Sequence, residues 1–269
     1  MSLHKVNVRF VVRALLLALP VAVLATVVGF VLLVTRGWPP AGPIPPPPAI
    51  LAPRGELPAG TVGLEEWVQV QGGSYNLAGS GFLIVLDEGE VVGVTTAHSV
   101  PLGNPARPLE RIALRVAGQP DFVAEFDTLW GHPGRPRTGG DMTVDYVLMK
   151  TDQPVDASLL LTPDPRGAPQ PGERVVLFSG LGDGHGGRRV LEGTVQSASD
   201  TAVWVAMDGW FSPGLMSGSP VVSQHTGQAV GMAIAVSLRR YRLFLGLHPI
   251  GSIVRLAESA TEFPSLPAY

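Results

Sequence analysis

The sequence contains no cysteine and has few charged residues. The absence of cysteine excludes disulfide bonds and thiolate-based metal or redox sites. Charged residues make up 15% of the 269 residues, and the formal net charge is −3. Nucleic-acid binding needs clustered lysine and arginine, and no stretch resembles such a patch. We therefore expect no nucleic-acid partner.

The longest apolar run lies near the N-terminus. Residues Ala14 to Thr35 are uncharged, and as a helix they would span about 33 Å, close to the hydrocarbon core of a bilayer. Only Arg36 follows the run closely, whereas three basic residues precede it: Lys5, Arg9 and Arg13. This asymmetry predicts a cytoplasmic tail over residues 1–13 and a single-pass signal-anchor over residues 14–35.

Two other interpretations of this run are less favoured. A cleaved signal peptide would have an apolar region of roughly 7–15 residues that ends at small residues, and this run is longer. A buried core helix is disfavoured because the run is apolar on every face. We expect the rest of the chain to lie outside the cytoplasm, in the periplasm or at the cell surface.

A proline-rich segment follows, over residues 36–60. Nine prolines fall between Pro39 and Pro58, including four in a row from Pro45 to Pro48. Such a segment favours an extended polyproline conformation and is typical of a semi-rigid spacer. The alternative, a ligand for a proline-binding domain, is less favoured because such domains are mainly cytoplasmic.

Short apolar runs separated by Gly, Pro or Asp fill the rest of the chain, which predicts an all-β fold of sandwich or barrel type. The first six predicted strands are Leu64–Gln71, Gly79–Leu86, Val91–Thr96, Arg111–Ala117, Phe122–Leu129 and Tyr146–Thr151. The second six are Arg174–Ser179, Val190–Ser197, Ala202–Met207, Pro220–Ser223, Ala229–Ser237 and Tyr241–Leu247. No long helix alternates with these strands, so an α/β fold is disfavoured.

The two groups of strands define the predicted domains. Residues 61–151 and 172–249 each hold six strands, and the segment 152–171, rich in Pro and Asp, links them. Residues 250–269 form a C-terminal helix and tail, in which the helix covers Ile250–Ala260.

Ser217 is the candidate nucleophile. It lies between turn residues and directly before the apolar run Pro220–Ser223, a setting that exposes a hydroxyl and frees nearby N–H groups to face an oxyanion. Taken alone, the stretch also fits an ordinary surface turn between two strands. A serine is a weak nucleophile, so the hypothesis depends on a base and an orienting acid elsewhere.

His98 and Asp145 are the candidate partners. His98 follows the predicted strand Val91–Thr96 at the start of a turn, although one such histidine alone is more typical of a structural role. Asp145 opens an apolar strand, where it could accept a hydrogen bond from the imidazole or merely cap a turn. Asp141, in a Gly-rich loop, is the second choice for the acid. None of the other histidines follows a comparable apolar strand: His4, His132, His185, His225 and His248.

These motifs together resemble trypsin-like serine proteases. The stretches that carry this resemblance are Thr96-Ala97-His98, Asp145 before its strand, and Ser217-Gly-Ser-Pro220. Their order along the chain is His, Asp, Ser. Four further stretches are similar to the Deg (high-temperature-requirement) branch: Gly79–Ile84, Pro171–Phe178, Gly227–Met232 and Gly246–Leu256. The resemblance covers about residues 61–260 and implies two six-stranded antiparallel barrels with the site between them. The chain leaves no room for the PDZ domain that Deg proteases usually append, so we expect none.

The resemblance also implies roles. Ser217 attacks the carbonyl, His98 transfers the proton, Asp145 orients His98, and the N–H groups of Leu215 and Ser217 form the oxyanion hole. The mechanism needs no metal and no cofactor, so we expect neither. The family usually has glycine where this chain has Leu215, which restricts the turn that aims the oxyanion hole.

The substrate pocket is placed by the same resemblance. Its base falls near Phe211 and its wall near Ala233, Ile234 and Ala235. No acidic residue is among them, so we expect cleavage after a small or medium-sized apolar residue of a protein or peptide substrate.

Three functions remain open from the sequence. The favoured one is a membrane-anchored serine endopeptidase acting outside the cytoplasm. The alternatives are a catalytically silent protease-like domain that binds peptides or senses the state of the envelope, and a purely structural β-domain on a stalk. The sequence leaves the oligomeric state open.

Overall fold

The structure is a computed structural model that describes residues 42–50, 54–182 and 188–269. The predicted cytoplasmic tail and signal-anchor lie outside the described residues. Across the residues that are described, none of the helices has both the length and the apolar character needed to span a membrane. The prediction of a signal-anchor therefore stays a prediction.

The first sheet bends into a nearly closed barrel of eight strands. Its strands are β1 (Leu64–Val70), β2 (Asn76–Val85), β3 (Val91–Thr95), β4 (Leu109–Arg115), β5 (Phe122–Phe126), β6 (Thr128–Leu129), β7 (Val147–Lys150) and β8 (Leu160–Leu161). They are ordered β5-β4-β1-β2-β3-β7-β6, and β8 pairs in parallel with β2. Only Asp127 separates β5 from β6, the two ends of this path.

The prediction of six strands in the first barrel was wrong by two. The predicted strand Phe122–Leu129 breaks at Asp127, so it supplies β5 and β6 to opposite ends of the sheet. The predicted linker 152–171 contains β8, because Leu160 and Leu161 pair with Leu83 and Ile84.

The second sheet is a closed six-stranded barrel, as predicted. Its strands are β9 (Arg174–Gly182), β10 (Arg188–Ala198), β11 (Val203–Met207), β12 (Pro220–Ser223), β13 (Ala229–Arg239) and β14 (Arg242–Pro249). They close in the order β10-β11-β14-β13-β12-β9, and all neighbours are antiparallel. Helix α1 (Ile250–Glu258) follows and ends two residues before the predicted boundary.

Three apolar clusters hold this body together. One fills the first barrel around Leu114 and Phe126, and another fills the second barrel around Val205 and Leu245. The third lies between the barrels and includes residues of both barrels and of α1, such as Phe82, Trp204 and Ile253. A strand such as β11 is buried at every residue because one face lines the barrel and the other faces this third cluster.

Residues 42–50 lie along the second barrel. The Gln196 side-chain amide donates to the carbonyl oxygens of Gly42 and Pro43, at 3.3 and 3.0 Å. Ile44 packs against the cluster between the barrels. A Cβ on Gly172 would lie 1.9 Å from the carbonyl oxygen of Pro46, which shows how closely the two backbones approach. The predicted spacer role of residues 36–60 stays a prediction.

Candidate active site

His98 lies in a tight turn directly after β3. Two hydrogen bonds fix this turn: Ser99 Oγ donates to the Thr96 carbonyl at 2.9 Å, and Thr96 Oγ1 donates to Ser99 Oγ at 3.0 Å. Thr95 and Thr96 are fully buried, whereas the His98 side chain is 34% exposed. The turn therefore presents the imidazole at the surface from a rigid base.

The pairing of β3 with β7 brings Asp145 to His98. Thr95 is opposite Val147, so the residues just beyond these two positions meet at one end of the strand pair. His98 Nδ1 and Asp145 Oδ2 are 2.9 Å apart, and the backbone N–H of His98 donates to Asp145 Oδ1 at 3.1 Å. A carboxylate only accepts, so the imidazole proton lies on Nδ1 and Nε2 is left as the acceptor.

Asp145 is a buried carboxylate that the surrounding N–H groups keep ionised. Burial by itself would raise its pKa, but the His98 ring and the backbone N–H groups of Arg137 and His98 outweigh burial and lower the pKa. The Arg137 N–H lies 3.1 Å from Asp145 Oδ2. A negative charge is thus held beside the imidazole, where it would stabilise an imidazolium.

The second choice for the acid, Asp141, does not contact His98 by hydrogen bond. Its Oδ1 accepts from the Thr143 backbone N–H at 2.9 Å and from Thr143 Oγ1 at 2.6 Å, and its side chain is exposed. Asp141 therefore caps its own loop.

A second histidine, His248, lies in the interior near Asp145. Its side chain is fully buried, and its ring makes an edge contact with Tyr146 at 5.9 Å. Burial lowers the pKa of His248 to about 4, so this ring is neutral at physiological pH. Because His98 is the histidine that both contacts Asp145 and reaches the surface, the geometry favours His98 as the base.

The loop of Ser217 rests on β2 of the first barrel. The Ser217 carbonyl accepts from the backbone N–H of Ser80 at 2.9 Å, and Ser80 Oγ donates to the Leu215 carbonyl at 3.0 Å. Gly218 has φ +90°, and a Cβ there would lie 1.8 Å from the Ser80 carbonyl oxygen. Residue 218 must therefore be glycine for the loop to approach β2 this closely.

Leu215 adopts a backbone conformation that glycine usually supplies. The turn closes with a hydrogen bond from the Met216 N–H to the Pro213 carbonyl, and Leu215 at its third position has φ +60°. Positive φ at this position is that of a type II turn. Among the described residues, the N–H groups of Leu215 and Ser217 have no protein acceptor. These two backbone donors, on either side of Met216, are therefore available to an oxyanion.

Ser217 and His98 are brought to the same edge of β2 without a hydrogen bond between their side chains. The Ser217 carbonyl bonds to Ser80, and Ser99, beside His98, packs against Gly79. Within the residues described, Ser217 Oγ makes no hydrogen bond to His98 Nε2. Such bonds are often long in free enzymes and shorten when substrate binds.

The predicted pocket residues differ in exposure. Phe211 is half-buried against the cluster inside the second barrel. Ala233 is buried in that cluster, and its backbone bonds to the serine loop through Gly218 and Ser219. Ile234 and Ala235 instead join the cluster between the barrels. Of the four predicted pocket residues, Phe211 is the nearest to the serine loop in sequence. Ala233 is the one whose backbone is hydrogen-bonded to that loop.

Three residues at this site were missed from the sequence. Ser80 anchors the serine loop, and the backbone of Arg137 supports the aspartate. Glu66, on β1, has a fully buried carboxyl group. The alternation of β1, in which Leu64 and Val68 are buried, could have placed Glu66 on the same inward face. Ser80 lies in the stretch Gly79–Ile84 that carries part of the resemblance, whereas nothing in the sequence marks Arg137.

No site for a metal ion emerges from the parts of the chain that are described, since no three His, Asp or Glu side chains converge there. The chemistry available to the site is that of a serine hydroxyl, an imidazole with a free acceptor nitrogen, a buried carboxylate and two free N–H donors. That set is suited to nucleophilic attack on a carbonyl.

Comparison with known proteins identifies the fold. No protein-family model matches the chain, and no curated protein does. Among solved structures, a mutant of human heparin binding protein (CAP37) is 16% identical, with a TM-score of 0.51 over 78% of this chain and 95% of its own. Tobacco etch virus protease complexed with product is also 16% identical, with a TM-score of 0.50 over 80% of this chain and 86% of its own. The fold is therefore the chymotrypsin-like fold of trypsin-like serine proteases.

Proposed function

We propose that this protein is a serine endopeptidase that cleaves peptide bonds of extracytoplasmic proteins through Ser217, His98 and Asp145. The observation that carries the proposal is the 2.9 Å contact between His98 Nδ1 and buried Asp145, which leaves Nε2 free to take a proton. The fold and the free N–H groups of Leu215 and Ser217 support it.

The proposed reaction has two halves. Ser217 Oγ attacks the substrate carbonyl while His98 Nε2 takes its proton, and the N–H groups of Leu215 and Ser217 stabilise the oxyanion. His98 then gives the proton to the leaving amine, and water hydrolyses the acyl-enzyme with His98 again as the base. Asp145 stabilises the imidazolium in both halves.

The location, substrate preference and relation to the Deg branch belong to this proposal. The apolar run Ala14–Thr35 with its preceding basic residues supports a membrane anchor. The absence of an acid at Phe211 and Ala233–Ala235 supports cleavage after a small or medium apolar residue. The stretch Gly79–Ile84, which resembles the Deg branch, forms most of β2 and supports the serine loop.

Labelling with a fluorophosphonate probe tests the proposal. The full-length protein should be labelled, and Ser217→Ala should lose labelling and peptide cleavage by about 10⁶-fold, because the nucleophile is gone. Ser219→Ala is the matched control, since Ser219 is two residues away, buried and without a hydrogen bond for its hydroxyl. Equal labelling of the wild type and Ser217→Ala would refute the assignment.

The second candidate is a silent protease-like domain that binds peptides. It is favoured by one observation, the absence of a hydrogen bond between Ser217 Oγ and His98 Nε2 in the described residues. This candidate predicts a folded protein that the probe does not label and that still retains an unfolded protein on a column. Labelling of the wild type refutes it.

A further inference from the structure

Glu66 is a second buried carboxyl group at the site, and it has no role in the proposed mechanism. It lies in the middle of β1, between Gly79 on β2 and Leu114 on β4, and none of it is exposed. Within the described residues, neither of its carboxyl oxygens has a hydrogen-bond partner. Buried polar groups are rarely left unpaired, so this one calls for an explanation.

The Glu66 carboxyl lies where three parts of the site meet. A Cβ placed on Gly79 would lie 2.7 Å from Glu66 Oε2, 3.2 Å from Ser99 Cβ and 3.3 Å from the Ser217 carbonyl oxygen. One point on β2 is therefore in contact with Glu66, with the turn of His98 and with the loop of Ser217.

The hydroxyls nearest to Glu66 are those of Ser99 and Thr95, and both already donate to backbone carbonyls. The Ser99 hydroxyl donates to the Thr96 carbonyl, and the Thr95 hydroxyl donates to the Ser80 carbonyl, each at 2.9 Å. Both hydroxyls keep a lone pair, and the Ser217 carbonyl is also an acceptor. A carboxylate would have to draw a hydroxyl proton away from one of these backbone carbonyls, whereas a protonated carboxyl could donate its own proton to a hydroxyl oxygen. Burial raises the pKa of Glu66 to about 8, and the hydroxyls of Ser99 and Thr95 lower this pKa by less than burial raises it.

Charged groups on the neighbouring elements do not compensate a negative charge on Glu66. Those on β1, β4 and the histidine turn are Glu65, Glu110, Arg111, Arg115 and His98. Glu65 pairs with Arg115 at 2.7 Å, Arg111 pairs with Glu125 at 3.1 Å, and His98 bonds to Asp145. Neither β2 nor the Ser217 loop contributes a charged side chain at this point.

We propose that Glu66 is a positioning residue of the active site, held as a neutral acid whose O–H donates to the Ser99 hydroxyl and so ties the histidine turn to the sheet that carries the serine loop. This inference rests on the proposed function. Loss of the proton would remove the donor and place an unpaired charge near the turn of His98 and the loop of Ser217. The site should therefore fail at alkaline pH.

Three variants separate the donor from the charge and from simple space filling. Glu66→Gln keeps N–H donors without a charge, and Glu66→Leu has neither donor nor charge. Glu88→Gln removes an exposed carboxylate in the turn between β2 and β3 and serves as the control. The rate of labelling by the fluorophosphonate is measured for each from pH 6 to 10, together with thermal unfolding to show that each variant is folded.

The expected pH profiles differ between the variants. Wild type and Glu88→Gln should lose labelling about tenfold per pH unit above about pH 8. Glu66→Gln should keep its neutral rate up to pH 10. Glu66→Leu should be slower by about tenfold at every pH, without the alkaline loss, because one hydrogen bond is missing.

Two results would overturn the inference. An alkaline loss in Glu66→Gln equal to that of the wild type would show that another group titrates. Equal rates for Glu66→Leu and Glu66→Gln would show that residue 66 only fills space.

Failure of the proposed function can be told apart from failure of this inference. If no variant is labelled at any pH, the endopeptidase assignment fails, and the NMR signal of the His98 ring then reports on the turn. That signal should shift between pH 7 and 9 in the wild type and stay constant in Glu66→Gln. A constant signal in the wild type would overturn the positioning role.

Discussion

Asp145 and Glu66 are two buried carboxyl groups in the same barrel, and both lie close to the turn of His98. Asp145 favours the ionised form, whereas Glu66 favours the neutral acid. Asp145 is 1% exposed, and three N–H groups approach its oxygens to within 3.1 Å. Glu66 is 0% exposed, and within the described residues its carboxyl oxygens make no hydrogen bond. The pKa is lowered for the first and raised for the second, so burial does not decide the outcome.

The difference comes from the backbone around each residue. Asp145 precedes β7 in an irregular segment, where the N–H groups of His98 and Arg137 are not used by the sheet and are free to donate. Glu66 lies within β1, whose neighbours β2 and β4 pair with it on both sides and use its N–H groups in the ladders. A loop can therefore stabilise a buried carboxylate, whereas the interior of a strand favours the neutral acid.

The largest effect is expected from the variant that removes the charge of Asp145. Asp145→Asn should lower kcat/KM by about 10⁴-fold, because the amide favours the wrong imidazole tautomer and does not stabilise the imidazolium. The matched control is Asp141→Asn, four residues earlier in an exposed loop, which should stay within about twofold. Similar losses in both variants would contradict the assignment of the acid.

The second test compares the pH dependence of the free energy of unfolding. For Glu66 the pKa is raised from 4.5 to about 8 on folding, so the folded state binds more protons than the unfolded state between these values. Stability should therefore fall as the pH rises through this window, by a total on the order of 5 kcal/mol. The lowered pKa of Asp145 affects stability in the opposite direction. Asp145 adds to the free energy of unfolding above the pKa that it has in the unfolded chain, and this stabilisation is lost as the pH falls through the pKa of the folded state.

Urea unfolding of the wild type and Glu66→Gln at pH 5, 7 and 9 measures this contribution. The variant should gain relative to the wild type at each step toward alkaline pH. Parallel curves for the two proteins would show that Glu66 is already ionised or is reached by water.

The variant with the smallest expected effect places a methyl group against the Glu66 carboxyl. Gly79→Ala should destabilise the protein by about 1–3 kcal/mol, because its Cβ would lie 2.7 Å from Glu66 Oε2. The loss should shrink when Glu66→Ala is added, since the double variant opens the space. Gly139→Ala is the control, because a Cβ there has no neighbour within 4 Å. An undiminished loss in the double variant would point to Ser99 or the Ser217 carbonyl as the obstacle.

Most strands could be predicted from local sequence patterns, and the strands that were predicted wrongly have a physical cause in common. Strands such as β3 and β12 are short apolar runs bounded by turn residues, which is why their positions matched the structure closely. The break at Asp127 and the two-residue strand Leu160–Leu161 depend on pairing partners far away in the chain. No local pattern carries that information.

The site shows the same limit. His98, Asp145 and Ser217 could be proposed because each stands beside a recognisable strand and their order is informative. Leu215 was expected to restrict its turn, but the structure gives it φ +60°, a conformation that residue type alone disfavours. Glu66 went unnoticed because a charged residue in an alternating strand is usually taken to face water.

The contact of residues 42–50 with the second barrel has a practical consequence for producing this protein. A fragment that begins at Thr61 would expose the surface that Ile44 covers and would leave Gln196 without the Gly42 and Pro43 carbonyls. A fragment that begins at Gly42 would retain them. The boundary for expression and crystallisation therefore lies before the proline run, about twenty residues upstream of the first strand.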